Sequence, residues 1–288
     1  PVGAAFTSNN IAALRQVKVI ELKDHLTEKQ KEAECFYVIC ADMAKDGSAE
    51  TAVGVAKVTP KEHMFTYKFV NLFTVASTDY LDVANAFKRA AVAYNAKLLI
   101  YDANGVGAGI RDWLNKETQD KTTGELLGGL GIINPPDSTK GDLISYPKSR
   151  TICYEIKSGG SVGEHIHWFF FSRMSTNVIT FPIKFNEALD LYSKNKSFNE
   201  MSVRKREQYM LPFRTMDKME EELKNLDIMP SSDNMNDRLK IARRNTAIQK
   251  DFFSMAEYLI YGTNQVFELD YYKRHYKSNK KRVIAIFE

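Results

Sequence analysis

The sequence predicts an α/β fold, a mixed central sheet of three antiparallel strands followed by parallel strands, flanked by helices. Three observations predict it. Between Cys35 and Val75, apolar or alternating stretches are divided by turn residues, as in an antiparallel meander. From Asp79 the apolar spacing changes to the 3.6-residue period of a helix. The run Leu98-Leu-Ile-Tyr-Asp102 is then continuously apolar up to its last residue, as a strand covered on both faces should be.

Each element follows from its local pattern. Cys35 to Ala41 reads as a first strand running into Asp42, and Lys45-Asp-Gly-Ser as the turn after it. Thr51 to Val58 returns, and about Met64 to Val75 alternates Phe65, Tyr67 and Phe69 against Thr66, Lys68 and Val70. A helix from Asp79 gathers Leu81, Ala84, Phe87, Ala91 and Tyr94 on one face and feeds the strand that ends at Asp102. After the turn containing Gly105, Gly107 and Gly109, a second helix is expected from Ala108 to about Thr118. Farther on, His165 to Phe171 and Val178 to Phe181 read as strands, Asn186 to Lys194 and Met216 to Leu226 as helices, and Ser158 to Glu164 as a loop. A last helix is expected from about Asp237 to Tyr261, stopping at Gly262, with a break near Lys250.

A chain of 288 residues, 44% of them hydrophobic, can bury one large core or two modest ones. No apolar run approaches the ~20 residues of a membrane span, and Pro1 to Ser8 lacks the basic flank and apolar centre of a secretion signal. Three cysteines, Cys35, Cys40 and Cys153, form no CxxC pair and no disulfide framework, which fits a reducing cytoplasm. The net charge of +4 is mild, so its distribution says more than its total. Basic residues collect at Arg238, Lys240, Arg243, Arg244 and Lys250, and again among tyrosines from Tyr271 to Arg282. Cations beside aromatic faces suit a nucleic-acid backbone, which makes Arg243, Arg244, Lys273, Arg274, Lys280, Lys281 and Arg282 candidate DNA contacts; a solvated polar surface is the alternative.

The chemistry sits in the carboxylates. Asp102, at the carboxyl end of a central strand, stands where open α/β sheets bind ligands. The glycines after it lack the GxGxxG spacing, and an acid there repels a pyrophosphate, so a metal-binding carboxylate is the better reading; a helix-capping Asp is the plain alternative. A three-strand meander followed by alternating helices and strands is the ribonuclease H arrangement, in which strands one and four are neighbours. Asp42 and Asp102 would then meet, with Asp251 in a late helix as the third acid. Clustered hard oxygen ligands suit Mg2+ or Mn2+, and two such ions roughly 3.5–4 Å apart can cleave a phosphodiester. Lys250, Asp46, Glu50 and Asp112 are candidate auxiliary groups, equally ordinary as surface residues. His165-Ile-His167 would set two imidazoles on one strand face, without a third zinc ligand nearby. A GxSxG elbow is absent, which disfavours ester or peptide hydrolysis, and no Gly-Lys pair occurs, so there is no P-loop motif for ATP.

Three segments, Ala41-Asp-Met-Ala-Lys-Asp-Gly-Ser-Ala-Glu-Thr-Ala-Val-Gly-Val, Tyr101-Asp-Ala-Asn-Gly-Val-Gly and Lys250-Asp-Phe-Phe-Ser-Met-Ala-Glu-Tyr, together with Leu211-Pro-Phe-Arg-Thr-Met, resemble the nuclease domain of the large terminase subunit of tailed double-stranded DNA phages. The sequence departs from that pattern at Lys250, where a paired acid is common. The resemblance implies a ribonuclease H fold and divalent-metal-dependent cutting of concatemeric DNA during genome packaging. Asp42, Asp102 and Asp251 would be ligands of two Mg2+ or Mn2+ ions, with Asp42 bridging both. It further implies double-stranded DNA, an upstream ATPase domain, the portal protein and the small terminase subunit as partners, no membrane, and a location in host cytoplasm with transient docking at the procapsid. The expected organisation is a connector over 1–34, a nuclease domain over 35–265 with an insertion around 137–235, and a basic segment over 266–288. A junction resolvase or another nuclease of this fold, or a non-catalytic module binding DNA or capsid, are the competing readings.

Overall fold

A computed structural model describes residues 3–22, 35–43, 50–62, 64–104, 109–121, 123–135, 149–159, 161–229 and 240–276. The chain begins with β1 (Gly3–Ala4), α1 (Ser8–Leu14), β2 (Arg15–Val17), β3 (Phe36–Asp42), β4 (Thr51–Thr59) and β5 (Thr66–Val75). Then come α2 (Tyr80–Ala93), β6 (Leu98–Asp102), α3 (Arg111–Asn115), β7 (Thr118–Gln119), β8 (Leu126–Leu127), β9 (Leu130–Ile132) and β10 (Arg150–Ile156). After these lie α4 (Ser161–Ser175), β11 (Ile179–Pro182), α5 (Phe185–Tyr192), α6 (Lys196–Asn199), α7 (Val203–Lys224), β12 (Leu226–Met229) and β13 (Lys240–Arg243). The described chain closes with α8 (Asp251–Thr263), a π-helical turn over Asn264–Glu268, and α9 (Leu269–Tyr276).

The main sheet has eight strands in the order β2-β11-β5-β4-β3-β6-β10-β9, and β4 alone runs against the other seven. Its centre, β5-β4-β3-β6-β10, is a meander extended by parallel strands, the ribonuclease H order expected from the sequence. Both faces are covered, which is why β4 and β6 carry almost no exposed residue. The alternation along β3 and β6 divides the core in two. Val38, Cys40, Leu98 and Ile100 face α4, α7 and α8, whereas Ile39, Ala41, Leu99 and Tyr101 face α2 and α3. A third, smaller cluster of Tyr192, Phe198, Met210 and Phe213 joins α5, α6 and α7 to Ile20 and Ile183.

Several local expectations differ from the structure. His165 to Phe171 lies inside helix α4: Ile166 and Phe170, one turn apart, are the fully buried residues, while His165 and Trp168 are exposed. An unbroken aromatic run fits strand or helix equally, and here the parallel strand β11 needs a crossover connection, which α4 supplies. The expected helix from Asp237 divides: Lys240–Arg243 pairs antiparallel with β12, and the helix proper starts at Asp251. Gly262 does not end it. A Cβ there would lie 2.7 Å from Ile100 Cδ1, so this glycine serves close approach of α8 to β6 rather than termination. The helix after the glycine turn is shorter than expected, Arg111–Asn115. The stretch around 137–235 supplies β10 and β11 to the main sheet, and within 1–34 the strand β2 forms its edge beside β11.

Candidate metal centre

The site is set by register. Val38, Ile39, Cys40 and Ala41 pair in parallel with Leu98, Leu99, Ile100 and Tyr101, so Asp42 and Asp102 occupy the next rung, at the carboxyl ends of β3 and β6. Because side chains alternate, both acids share the face of Cys40 and Ile100 that α8 covers. Asp102 is buried at 5% exposure and Asp42 is half-buried. Two independent groups feel both charges: the Tyr258 phenol and the Cys40 thiol are held above their ordinary pKa chiefly by burial, with Asp42 and Asp102 adding to it.

Loop residues around the pair are orderly. Asn104 N donates to Asp102 Oδ1 at 2.8 Å, Asn104 Nδ2 donates to Ser158 Oγ at 3.0 Å, and the Tyr258 hydroxyl donates to Ser158 Oγ at 2.9 Å. On the opposite face of the sheet, Glu155 fixes the same strands from behind. It accepts from Tyr101 Oη at 2.6 Å and from Arg111 Nε and Nη2 at 2.7 and 2.8 Å, while Asn134 brackets its backbone.

Asp251 opens α8 and lies in a cleft of about 300 Å3 with Glu50, Ala52, Thr74, Lys218, Glu222, Gln249 and Phe252. Ala52 is the cross-strand partner of Asp42, so this cleft borders the acid pair. Glu222 is pushed up to about 8, chiefly by burial and further by the charge of Asp251, against hydrogen bonds from Phe253 N and Phe252 N. Among the described residues, no group of three or more His, Cys, Asp or Glu side chains converges closely enough to hold a metal ion. The structure thus brings Asp42 and Asp102 together and sets Asp251 beside Glu50 and Glu222.

The remaining sequence candidates fall as follows. Asp46 lies outside the described residues, and Asp112 is an exposed residue in α3. Lys250 precedes α8 and acts electrostatically on Glu257. His167 is no zinc-facing imidazole: its Nδ1 lies 2.6 Å from Glu257 Oε2, with its ring against Phe253. Arg243 clamps the turn before α8 through Thr246 O at 3.1 Å and Ile248 O at 3.4 Å, and Arg244 pairs with Asp227 at 2.5 Å. On α9, Lys273 is exposed and Arg274 reaches Asp270 at 3.2 Å. Lys280, Lys281 and Arg282 lie outside the described residues. Sequence reasoning missed Asn104, Ser158, Glu222 and Tyr258. Only Tyr258 carried a signal, since it sits seven residues after Asp251 on the same helical face.

The strand order and the acid pair define a ribonuclease H-type α/β domain with a carboxylate centre at the ends of its first and fourth core strands. No protein-family model matches the chain, and no curated protein matches it. Among solved structures, it is similar to the nuclease domain of the large terminase subunit gp2 of bacterial virus Sf6, at 12% identity and a TM-score of 0.48 over 90% of this chain and 98% of that one. It is similar to the large terminase nuclease of thermophilic phage G20c with bound magnesium, at 13% identity and a TM-score of 0.43 over 80% and 82%. The human cytomegalovirus terminase nuclease domain gives 13% identity and a TM-score of 0.44 over 92% and 97%. The fold of this chain is defined by its own strand order and register.

Proposed function

We propose that this chain is a divalent-metal-dependent DNA endonuclease, the nuclease part of a large terminase, which cuts concatemeric double-stranded viral DNA during packaging. One observation carries the reading: two carboxylates, far apart in sequence, lie on the same rung and on one face at the ends of adjacent parallel strands. Two like charges so placed repel unless a cation joins them. The donors are oxygen atoms, which favours a hard ion over zinc.

The residues fit such an ion. Asp42 and Asp102 would hold it, and Mg2+ commonly takes one or two carboxylates and keeps water in its other positions, so a ready-made cage of three acids is not required. A bound Mg2+ or Mn2+ supplies Lewis acidity toward a phosphodiester. The protein orients the acids: Asn104 N fixes one oxygen of Asp102, and the Tyr101–Glu155–Arg111 cluster holds β6 and β10 in register behind it. Asp251, at the border of the same region, is the candidate third ligand. The number of ions, two in this reading, the portal protein, small subunit and upstream ATPase as partners, and a cytoplasmic location at the procapsid all belong to the same proposal.

The test is incubation of the whole chain with supercoiled plasmid and Mn2+ or Mg2+, with and without chelator. Chelator-sensitive nicking and linearisation are expected. Plasmid left intact at high protein, with DNA still bound, would turn the reading into that of a binding module. Preference for a four-way junction over plain duplex would make it a resolvase.

A further inference from the structure

Ser158 and Tyr258 bring two hydroxyl groups together and share a single hydrogen bond between them, at 2.9 Å. Ser158 Oγ also accepts from Asn104 Nδ2 at 3.0 Å. A hydroxyl donates one hydrogen and accepts two. With Tyr258 and Asn104 as donors, both acceptor positions of Ser158 are filled, and its own hydrogen is taken by no described residue. The count survives rotation of either group, because two hydroxyl hydrogens and one bond between them always leave one hydrogen over.

Burial decides which residue presents that hydrogen. Tyr258 is 5% exposed, whereas Ser158 is half-buried just beyond Ile156, the residue of β10 that pairs with Asp102. The hydroxyl pair is therefore beside the acids, and both acids act electrostatically on the Tyr258 phenol. Asn104 links the two features, fixing Asp102 with its backbone and Ser158 with its side chain. A donor held in one direction next to cation-seeking carboxylates matches a ligand that arrives with cations and offers anionic oxygen, which is a phosphodiester.

We propose that Ser158 is a substrate-contacting residue whose hydroxyl donates to a non-bridging phosphoryl oxygen of the DNA strand at the Asp42–Asp102 pair, with Asn104 and Tyr258 as positioning residues that aim it. The inference rests on the nuclease reading and assigns that site a substrate contact. Its value to the reaction is that the donor is already aimed, so no reorganisation is needed as charge builds on the phosphoryl oxygens.

The test compares the whole wild-type chain with Ser158→Ala, Ser158→Thr, Tyr258→Phe and the Ser158→Ala/Tyr258→Phe double variant on duplex DNA with Mn2+. Ser158→Ala is expected to lower kcat about 10- to 100-fold with little change in KM, and Ser158→Thr, which keeps the hydroxyl, to restore most of it. Tyr258→Phe should lower kcat less, and the double variant should be no slower than Ser158→Ala, since both changes disable one device. Every variant should still unfold cooperatively and still bind DNA in Ca2+, with only the modest loss of stability that removing one hydrogen bond brings. Wild-type kcat in Ser158→Ala, or a Ser158→Thr as slow as Ser158→Ala, overturns the inference while leaving the nuclease reading standing. A wild type that cuts no DNA with either metal removes both.

Discussion

The Glu222 carboxylate, near the end of α7, accepts the backbone N–H of Phe252 at 2.9 Å, and the same oxygen takes that of Phe253 at 3.1 Å. The first turn of a helix leaves amides without intrahelical partners, and Lys250, the capping residue of α8, makes no side-chain cap bond. A residue thirty positions upstream does that work instead, which ties the position of Asp251 to α7.

Glu222→Ala should leave two buried amides without an acceptor and destabilise the chain by about 1–3 kcal/mol in urea unfolding. Glu222→Gln keeps an acceptor oxygen and should recover most of that loss. Equal stability of Glu222→Ala and wild type would show the cap to be dispensable.

Asp42→Asn and Asp102→Asn should each abolish plasmid cutting in Mn2+ while leaving duplex binding equal or tighter, because a negative charge beside the phosphates is removed. Cleavage gels and fluorescence anisotropy read the two effects separately. Full residual cutting in either variant would refute the assignment of that acid.

Among the described residues, Glu155 is the carboxylate that pairs with Arg111, and their side chains are only 2% and 14% exposed. Glu155→Leu should therefore strand a guanidinium and the Tyr101 hydroxyl, at a cost of about 3–5 kcal/mol. A loss below the typical surface-mutation range would mean that solvent reaches Arg111.

Lys88 is buried and donates to two neutral oxygens, Lys116 O at 2.6 Å and Thr118 Oγ1 at 2.9 Å. Burial lowers its pKa from 10.5 to about 8. A lowered folded-state value means that the unfolded chain holds this proton more tightly, so the stability penalty is full below pH 8 and fades toward pH 10.5. The stability of Lys88→Met relative to wild type should accordingly fall as pH rises from 8 to 10. A pH-independent difference between the two in urea would contradict it.

Legibility in the sequence followed the range of the interaction. The acids at Asp42 and Asp102 were readable because an aliphatic run ending on a charge is a local pattern, and the meander order implied that their strands are neighbours. β10 was not readable: Arg150 to Ile156 carries Glu155 in its interior, and only the partners Tyr101 and Arg111 make that burial tolerable. His167 failed for the same reason, since its partner Glu257 lies ninety residues away. Arg243 and Arg244 looked like a free basic patch until their acceptors in the 246–249 turn and at Asp227 were in view.

By itself the sequence determined the period of β3, β4, β5, α2 and β6, the order of the meander and the ends of the two strands that carry acids, because alternation and apolar runs depend on neighbours along the chain. Only the tertiary structure decided that Ser158, Asn104 and Tyr258 surround that pair, and that Glu222 and not a local residue caps α8. Hydrogen bonds between distant polar groups leave no periodicity behind; they exist once packing has removed the water that would otherwise satisfy each group alone.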